Sequence, residues 1–360
     1  MTAKKNYEYA PDFTVPPGET LRETMKALDM SQRELSLRAG LTVQSLDRIF
    51  KCEQPITYET ANKLELVTGV PARVWNNLEA QYREQTAKQK EDELLQRDLA
   101  WLKQIPTADL IARGAIQPQR DKIALLRETL RFYGVSSVAA WREIWEDPKV
   151  AARRSPCFKS QPGAASAWIR LGEVQAIGIE CQTYDRNMFE AAVGRIRGLT
   201  VLEPEEFVPE MTRLCAEAGV ALALVREMKK VPWYGATKWL SAAKAMVLLN
   251  LRHKAEDQFW FSYFHEAGHV LHDSRNSKKA LLINDGSEDD PREKRANGYA
   301  AKTLIPLGER WRIPSLRSRR AIVAFAKQIG IAPGIVVGQF EYMTERWGWF
   351  NDLKRKFTWR

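Results

Sequence analysis

His265-Glu266-Ala267-Gly268-His269 is the segment whose residue types and spacing best suit chemistry. On a helix, residues four apart lie one above the other on the same face. Two imidazoles so placed can bind one Zn²⁺, and Glu266 between them is placed to take a proton from water at the ion. The chain has only 4 histidines, and three of them (His265, His269, His272) share one short stretch. With histidine so scarce, such a pentad arises by chance in only about a few chains per thousand.

A catalytic zinc centre also needs a third protein ligand and an open position. His272 continues the stripe, but it lies a turn beyond the pair and nearly in line with it, which closes a tetrahedron poorly. The longer pattern HExxHxxGxxH is not met, because His272 stands at its glycine and Arg275 at its last histidine. Glu293 fits better. It opens a second helical segment on which Glu293, Ala296, Asn297 and Ala300 share one face. The small residues there allow close packing against the histidine helix, and Asn297 can orient a ligand from behind. A glutamate at a helix start is also favoured by the helix dipole alone. His272 reads either as a helix C-terminal cap or as a group touching substrate.

A second functional segment lies near the N-terminus. In SQRELSLRAG, Ser31 and Glu34 have capping-box spacing, and Gly40 stands where a tight bend needs positive φ. Thr42 caps a following helix, TVQSLDRIFK. This is helix-turn-helix spacing, with the second helix set to enter the major groove of double-stranded DNA. Thr42, Val43, Gln44 and Ser45 would face base edges, and Gln44 can pair bidentately with adenine. Gln32 and Arg48 would hold phosphates, and Lys51 would also lie at the DNA. Leu35, Ala39, Leu46 and Ile49 would form the small core between the helices.

The elements that position these groups suggest a multidomain, mainly α chain with a small α+β core, a zincin core if the resemblance to metallopeptidases described below holds. The expected layout is a flexible tail over 1–15, a five-helix DNA-binding domain over 16–82 and a helical connector over 83–199. A peptidase domain over 200–310 and a helical extension over 311–360 complete it. VALALV, KWL and AMVLLNLR read as strands, and DQFWFSYFHEAGHVLH, apolar all round, as a buried helix. The stretch between the two site helices reads as a polar loop. An exposed strand edge within 236–251 could take an extended substrate by strand addition.

Composition narrows the class. The chain has 360 residues, 44% of them hydrophobic, which excludes general disorder and suits two or three domains. No apolar run reaches about 18 residues, and the first residues have no secretory apolar stretch. Cys52, Cys157, Cys181 and Cys215 form no C-x-x-C pair, which suits reduced thiols in the cytoplasm. A net charge of +10 is compatible with a nucleic-acid partner.

Two resemblances follow from these segments. GETLRETMKALDMSQRELSLRAGLT and PITYETANKLELVTGVPARVWNNLEAQY resemble the HigA-like branch of the XRE (Cro-like) helix-turn-helix family. FWFSYFHEAGH and EKRANGYAAKTLIP resemble the ImmA/IrrE family of zinc metallopeptidases, and QIGIAPGIVVGQF is similar to the tail of proteins that fuse the two. The peptidase resemblance implies His265, His269 and Glu293 as zinc ligands, Glu266 as base, and cleavage of a helix-turn-helix repressor under stress. The HigA-like resemblance implies operator binding, a homodimer, and toxin–antitoxin regulation with a partner toxin. Cys52, Glu53 and Arg295 stand where these families usually have Gly, Lys and Glu. Two functions result: a regulator fused to a zinc endopeptidase that cuts a repressor or itself, or an antitoxin-like regulator whose zincin domain senses and cuts little.

Overall fold

A computed structural model describes residues 15–146, 161–273, 281–284 and 290–359. The tail expected over 1–15 lies, but for Val15, outside the described residues. Contacts divide the chain into two units, Met1–Leu99 and Ala100–Arg360.

Among the described residues the first unit has five helices: α1 (Pro17–Ala27), α2 (Gln32–Ala39), α3 (Val43–Phe50), α4 (Tyr58–Thr68) and α5 (Ala72–Asp98). Local chemistry sets their ends. Ser31 Oγ accepts from Glu34 N at 3.2 Å to start α2. Glu34 does not reach back as a capping box would; its carboxylate pairs with Arg38 at 2.5 Å. Gly40 turns the chain at φ 59°, and Thr42 Oγ1 accepts from Ser45 N at 3.0 Å to start α3. Leu35, Ala39, Leu46 and Ile49 are all buried, together with Leu21, Leu64 and Trp75. The division expected at residue 82 falls inside α5, an unbroken run rich in Glu, Gln, Lys and Ala.

The second unit begins with α6 (Thr107–Ala112), α7 (Lys122–Tyr133) and α8 (Val138–Trp145). Then come α9 (Pro162–Gly178), α10 (Arg186–Gly198) and α11 (Pro204–Glu217). The strands follow: β1 (Val220–Leu224), β2 (Gly235–Ser241) and β3 (Lys244–Leu249). The histidine helix is α12 (Glu256–His272), followed by β4 (Leu281–Asn284) and α13 (Pro291–Leu304). The chain ends with α14 (Leu307–Arg310), α15 (Arg319–Ile329) and α16 (Pro333–Thr344). Among the described residues no single helix is long and apolar enough to cross a membrane.

The sheet has the order β1-β3-β2-β4, with β1 and β3 parallel and the other pairs antiparallel. Strand alternation gives it two buried faces. Val220, Leu222, Trp239, Val247 and Leu249 join the core on the α12 side. The opposite face carries Ala221, Ala223, Ala236 and Leu248, and α9 packs on it. The small-residue stretch at 163–178 lies within the span expected as a helical connector. It forms α9 because alanine favours helix and its small side chains let the helix lie close to the sheet.

Two expectations change here. The stretch between the site helices is not all polar loop, because Leu281–Asn284 pairs with β2. The strands within 236–251 therefore offer no free edge: β2 lies between β3 and β4, and β3 between β1 and β2. The edge next to the histidine helix belongs to β4.

α12 packs along α13. At Gly268 an added Cβ would sit 3.1 Å from Tyr299 Cδ1 and 3.3 Å from Ala296 Cα, so a glycine permits this approach. Gly268→Leu should wedge the two helices apart and cost about 1–3 kcal/mol of stability in chemical denaturation. A variant as stable as the parent would contradict this packing.

Candidate metal centre

Asp290, Pro291 and the first turn of α13 fix where Glu293 sits. The Asp290 carboxylate accepts from Arg292 N at 2.8 Å, and Pro291 starts the helix. Glu293 then projects from the first turn against α12, whose His265 and His269 face it. His265 Nε2 lies 3.0 Å from Glu293 Oε2, and His269 Nε2 lies 3.2 Å from Glu293 Oε1. The two Nε2 atoms are 3.0 Å apart. All three residues are buried.

The other ring nitrogens are occupied. His265 Nδ1 donates to Asn297 Oδ1 at 2.8 Å, and His269 Nδ1 donates to Asp273 Oδ2 at 2.7 Å. A proton on Nδ1 leaves an inward lone pair on each Nε2 of a neutral ring. Two such lone pairs and a carboxylate repel one another unless a positive charge sits among them. Two imidazoles and one carboxylate are a donor set suited to a divalent transition metal. The residues present therefore fit a metal ion.

The ionisation shifts agree. Burial lowers the His269 imidazole, but the Asp273 and Glu293 hydrogen bonds and the Glu266 and Glu293 charges outweigh it and lift it to about 9. Burial raises the Glu293 carboxyl, yet hydrogen bonds from both histidines hold it down to about 2. Both shifts express a demand for positive charge at the point the three side chains surround.

The Glu266 carboxyl meets β2. It is fully buried beside β2, where Thr237 Oγ1 donates to its Oε2 at 2.6 Å. Its Oε1 has no hydrogen-bond partner among the described residues. Burial pushes this carboxyl up to about 7, against the pull of the two histidines and Thr237. Gly235 makes room for it, since a Cβ there would lie 2.6 Å from Oε1.

His272 does not join the group. It is exposed and sits edge-on to Tyr299 with ring centroids 5.1 Å apart. Burial and the Arg186 and Arg295 charges hold its pKa below the usual value. Sequence reasoning missed Asp273, Thr237, Gly235 and the partnership of Arg295 with Asp273. Asp273 could have been found, because it continues the i, i+4 stripe of His265 and His269; β2 residues carried no such signal.

In the first unit, Thr42, Val43, Gln44, Arg48 and Lys51 are exposed on and around α3. Three of the predicted contacts have intramolecular partners, exposed Lys51 among them. Ser45 Oγ accepts from Gln54 Nε2 at 2.8 Å, Gln32 Nε2 donates to Val43 O at 3.3 Å, and Lys51 pairs with Asp47 at 2.8 Å. Cys52 adopts φ 59°, the left-handed conformation that the glycine usual at this place takes without strain.

Comparison with known families fits this geometry. Residues 223–309, which hold all three site residues, match the IrrE N-terminal-like domain, and residues 21–75 match the helix-turn-helix family. No curated protein matches the chain. The chain is a fusion of an XRE-type helix-turn-helix and an IrrE/ImmA-like domain.

Two outcomes follow for metal uptake. His269 must lose its proton before Nε2 can bind an ion, so below pH of about 9 the proton competes. Affinity should rise about tenfold per pH unit between about pH 7 and 9, with about one proton released in calorimetry. A pH-independent affinity would contradict the shift. Asp273→Asn should lower metal affinity about 10–100-fold in a chelator competition; parental affinity would deny Asp273 its role.

Proposed function

We propose that the chain is a DNA-binding regulator joined to a zinc-dependent endopeptidase that cuts a helix-turn-helix repressor or its own N-terminal module. Glu266 carries this reading. A buried carboxyl with an unpartnered oxygen and a pKa lifted to about 7 is costly for a structural or sensing domain. It suits a group that takes and returns a proton near neutral pH. His265, His269 and Glu293 would hold the ion, and two histidines with one glutamate are a known catalytic zinc set. Bound zinc supplies a Lewis acid that polarises a peptide carbonyl and makes water acidic near neutral pH.

The chain's own groups do the rest. Thr237 holds Oε2 of Glu266, which leaves Oε1 as the working oxygen. Oε1 takes the proton of the attacking water and delivers it to the leaving amine. Asn297 and Asp273 keep the two imidazoles in orientation. An extended substrate would add to the outer edge of β4, whose Asn284 is paired with Gly235 beside Glu266. The exposed side chains of α3 would read an operator, with Gln44 on a base and Arg48 on phosphate. The reading extends to a homodimer on a palindromic site and to a stress or toxin–antitoxin setting, as the resembled families imply.

Glu266→Gln should keep the metal and DNA binding and lose about 10²–10⁴-fold in cleavage rate. Unchanged cleavage would remove Glu266 from the mechanism. In gel shifts, Arg48→Ala should weaken binding to all sequences alike, whereas Gln44→Ala should relax preference at one base pair. An identical effect of both on every sequence would contradict the assigned contacts.

A further inference from the structure

The chain's charge of +10 is not concentrated in the helix-turn-helix module. Residues 21–75, which match that family, hold eight Lys or Arg against seven Asp or Glu. Residues 311–360 hold ten Lys or Arg against three Asp or Glu, and all but none of this stretch lies beyond residue 309, where the second family match ends. Two of its three acids are already neutralised. Glu341 is buried against Lys354, and Asp352 pairs with Arg319 at 2.8 Å. Arg317, Arg320 and Lys327 are exposed, and none of them pairs with a carboxylate among the described residues. Arg320 and Lys327 stand seven apart on one face of α15.

Exposed tryptophan is concentrated in the same stretch. Of the 12 tryptophans, only Trp311, Trp347 and Trp349 are exposed, at 75%, 69% and 46%. Arg346 lies over the Trp349 ring at 4.9 Å, whereas no ring or cation covers Trp311 or Trp347 among the described residues. The fold gathers these groups. Arg310, Tyr342 and Trp347 line one cavity, and Trp311 follows Arg310 in the chain. The Arg319–Asp352 pair ties the start of α15 to the segment that carries Trp347 and Trp349.

Unpaired cations beside bare indole faces suit a strand of phosphates and unstacked bases. Guanidinium and ammonium groups meet the phosphates, and a base lies flat on each ring. A duplex keeps its base faces inside its own stack, so it would use the charge and leave the rings idle. A bilayer surface would call for aliphatic side chains beside the rings. Ile322, Ile335, Val336 and Val337 of α15 and α16 are buried instead.

We propose that residues 311–360 carry a second nucleic-acid surface, which binds a single strand by stacking on Trp311 and Trp347 and by phosphate contacts to Arg317, Arg320 and Lys327. It depends neither on the operator contacts of α3 nor on the peptidase reading.

The full chain is titrated with fluorescein-labelled oligo(dT) and oligo(U) of about 20 nucleotides, longer than one such site. Anisotropy should rise and tryptophan fluorescence should be quenched with at least one of the two, and the preferred strand tells DNA from RNA. Trp311→Ala and Trp347→Ala should each weaken binding about fivefold or more, and Trp347→Phe should keep most of it. Arg317→Gln combined with Arg320→Gln should flatten the slope of log affinity against log salt by about 1.4. Lys63→Gln, which removes an exposed charge from α4, should change neither affinity nor slope. No binding of either oligonucleotide, or binding that both tryptophan-to-alanine variants retain in full, overturns the proposal. So does an equal loss of affinity in those variants for a duplex of the same length. Binding to phosphatidylglycerol vesicles without binding to either oligonucleotide also overturns it and assigns the surface to a membrane.

Discussion

The close approach of α12 to α13 is the constraint on which the site depends. It sets Glu293 within 3.2 Å of both imidazoles, and it exists because Gly268 faces Ala296 with nothing between them. Three electron-pair donors then surround one point, and burial removes the water that would otherwise separate them. Such an arrangement is unfavourable unless a positive charge fills it, whether a proton or a metal ion. The lifted His269 and depressed Glu293 ionisations are the electrostatic expression of that one contact.

The sheet answers a different need. Glu266 shares α12 with the two histidines but turns toward β2, where Gly235 gives it space and Thr237 fixes one of its oxygens. Burial lifts its pKa to about 7, and its second oxygen has no hydrogen-bond partner among the described residues. β4 extends the sheet beside β2, with Asn284 paired to Gly235. The metal-ligand set and the buried Glu266 carboxyl thus occupy two neighbouring surfaces of a single helix.

Much of this was legible in the sequence because helical spacing and residue type coincide. His265, Glu266 and His269 announce themselves by a four-residue spacing, and Glu293 by the small residues that follow it on one face. The paired helices of the first unit were equally readable, since Ser31, Thr42 and Gly40 carry explicit cap and turn chemistry. The misses have physical causes. β4 is four residues within a polar stretch, and its pairing with β2 is a long-range contact that local composition does not encode. Thr237 and Gly235 matter only because the strand lies under α12. Asp273 was overlooked because His272 drew attention by type, although the stripe of every fourth residue leads to Asp273. The boundary at 82 failed because an Ala-, Gln- and Glu-rich helix carries on through it.

Metal analysis of the purified full chain, its Glu293→Ala variant and its His272→Ala variant tests the central claim most directly. The account predicts about one zinc ion per parent chain, the same for His272→Ala, and near-complete loss for Glu293→Ala after dialysis. A parent chain without metal, or zinc retained by Glu293→Ala and lost by His272→Ala, would contradict it.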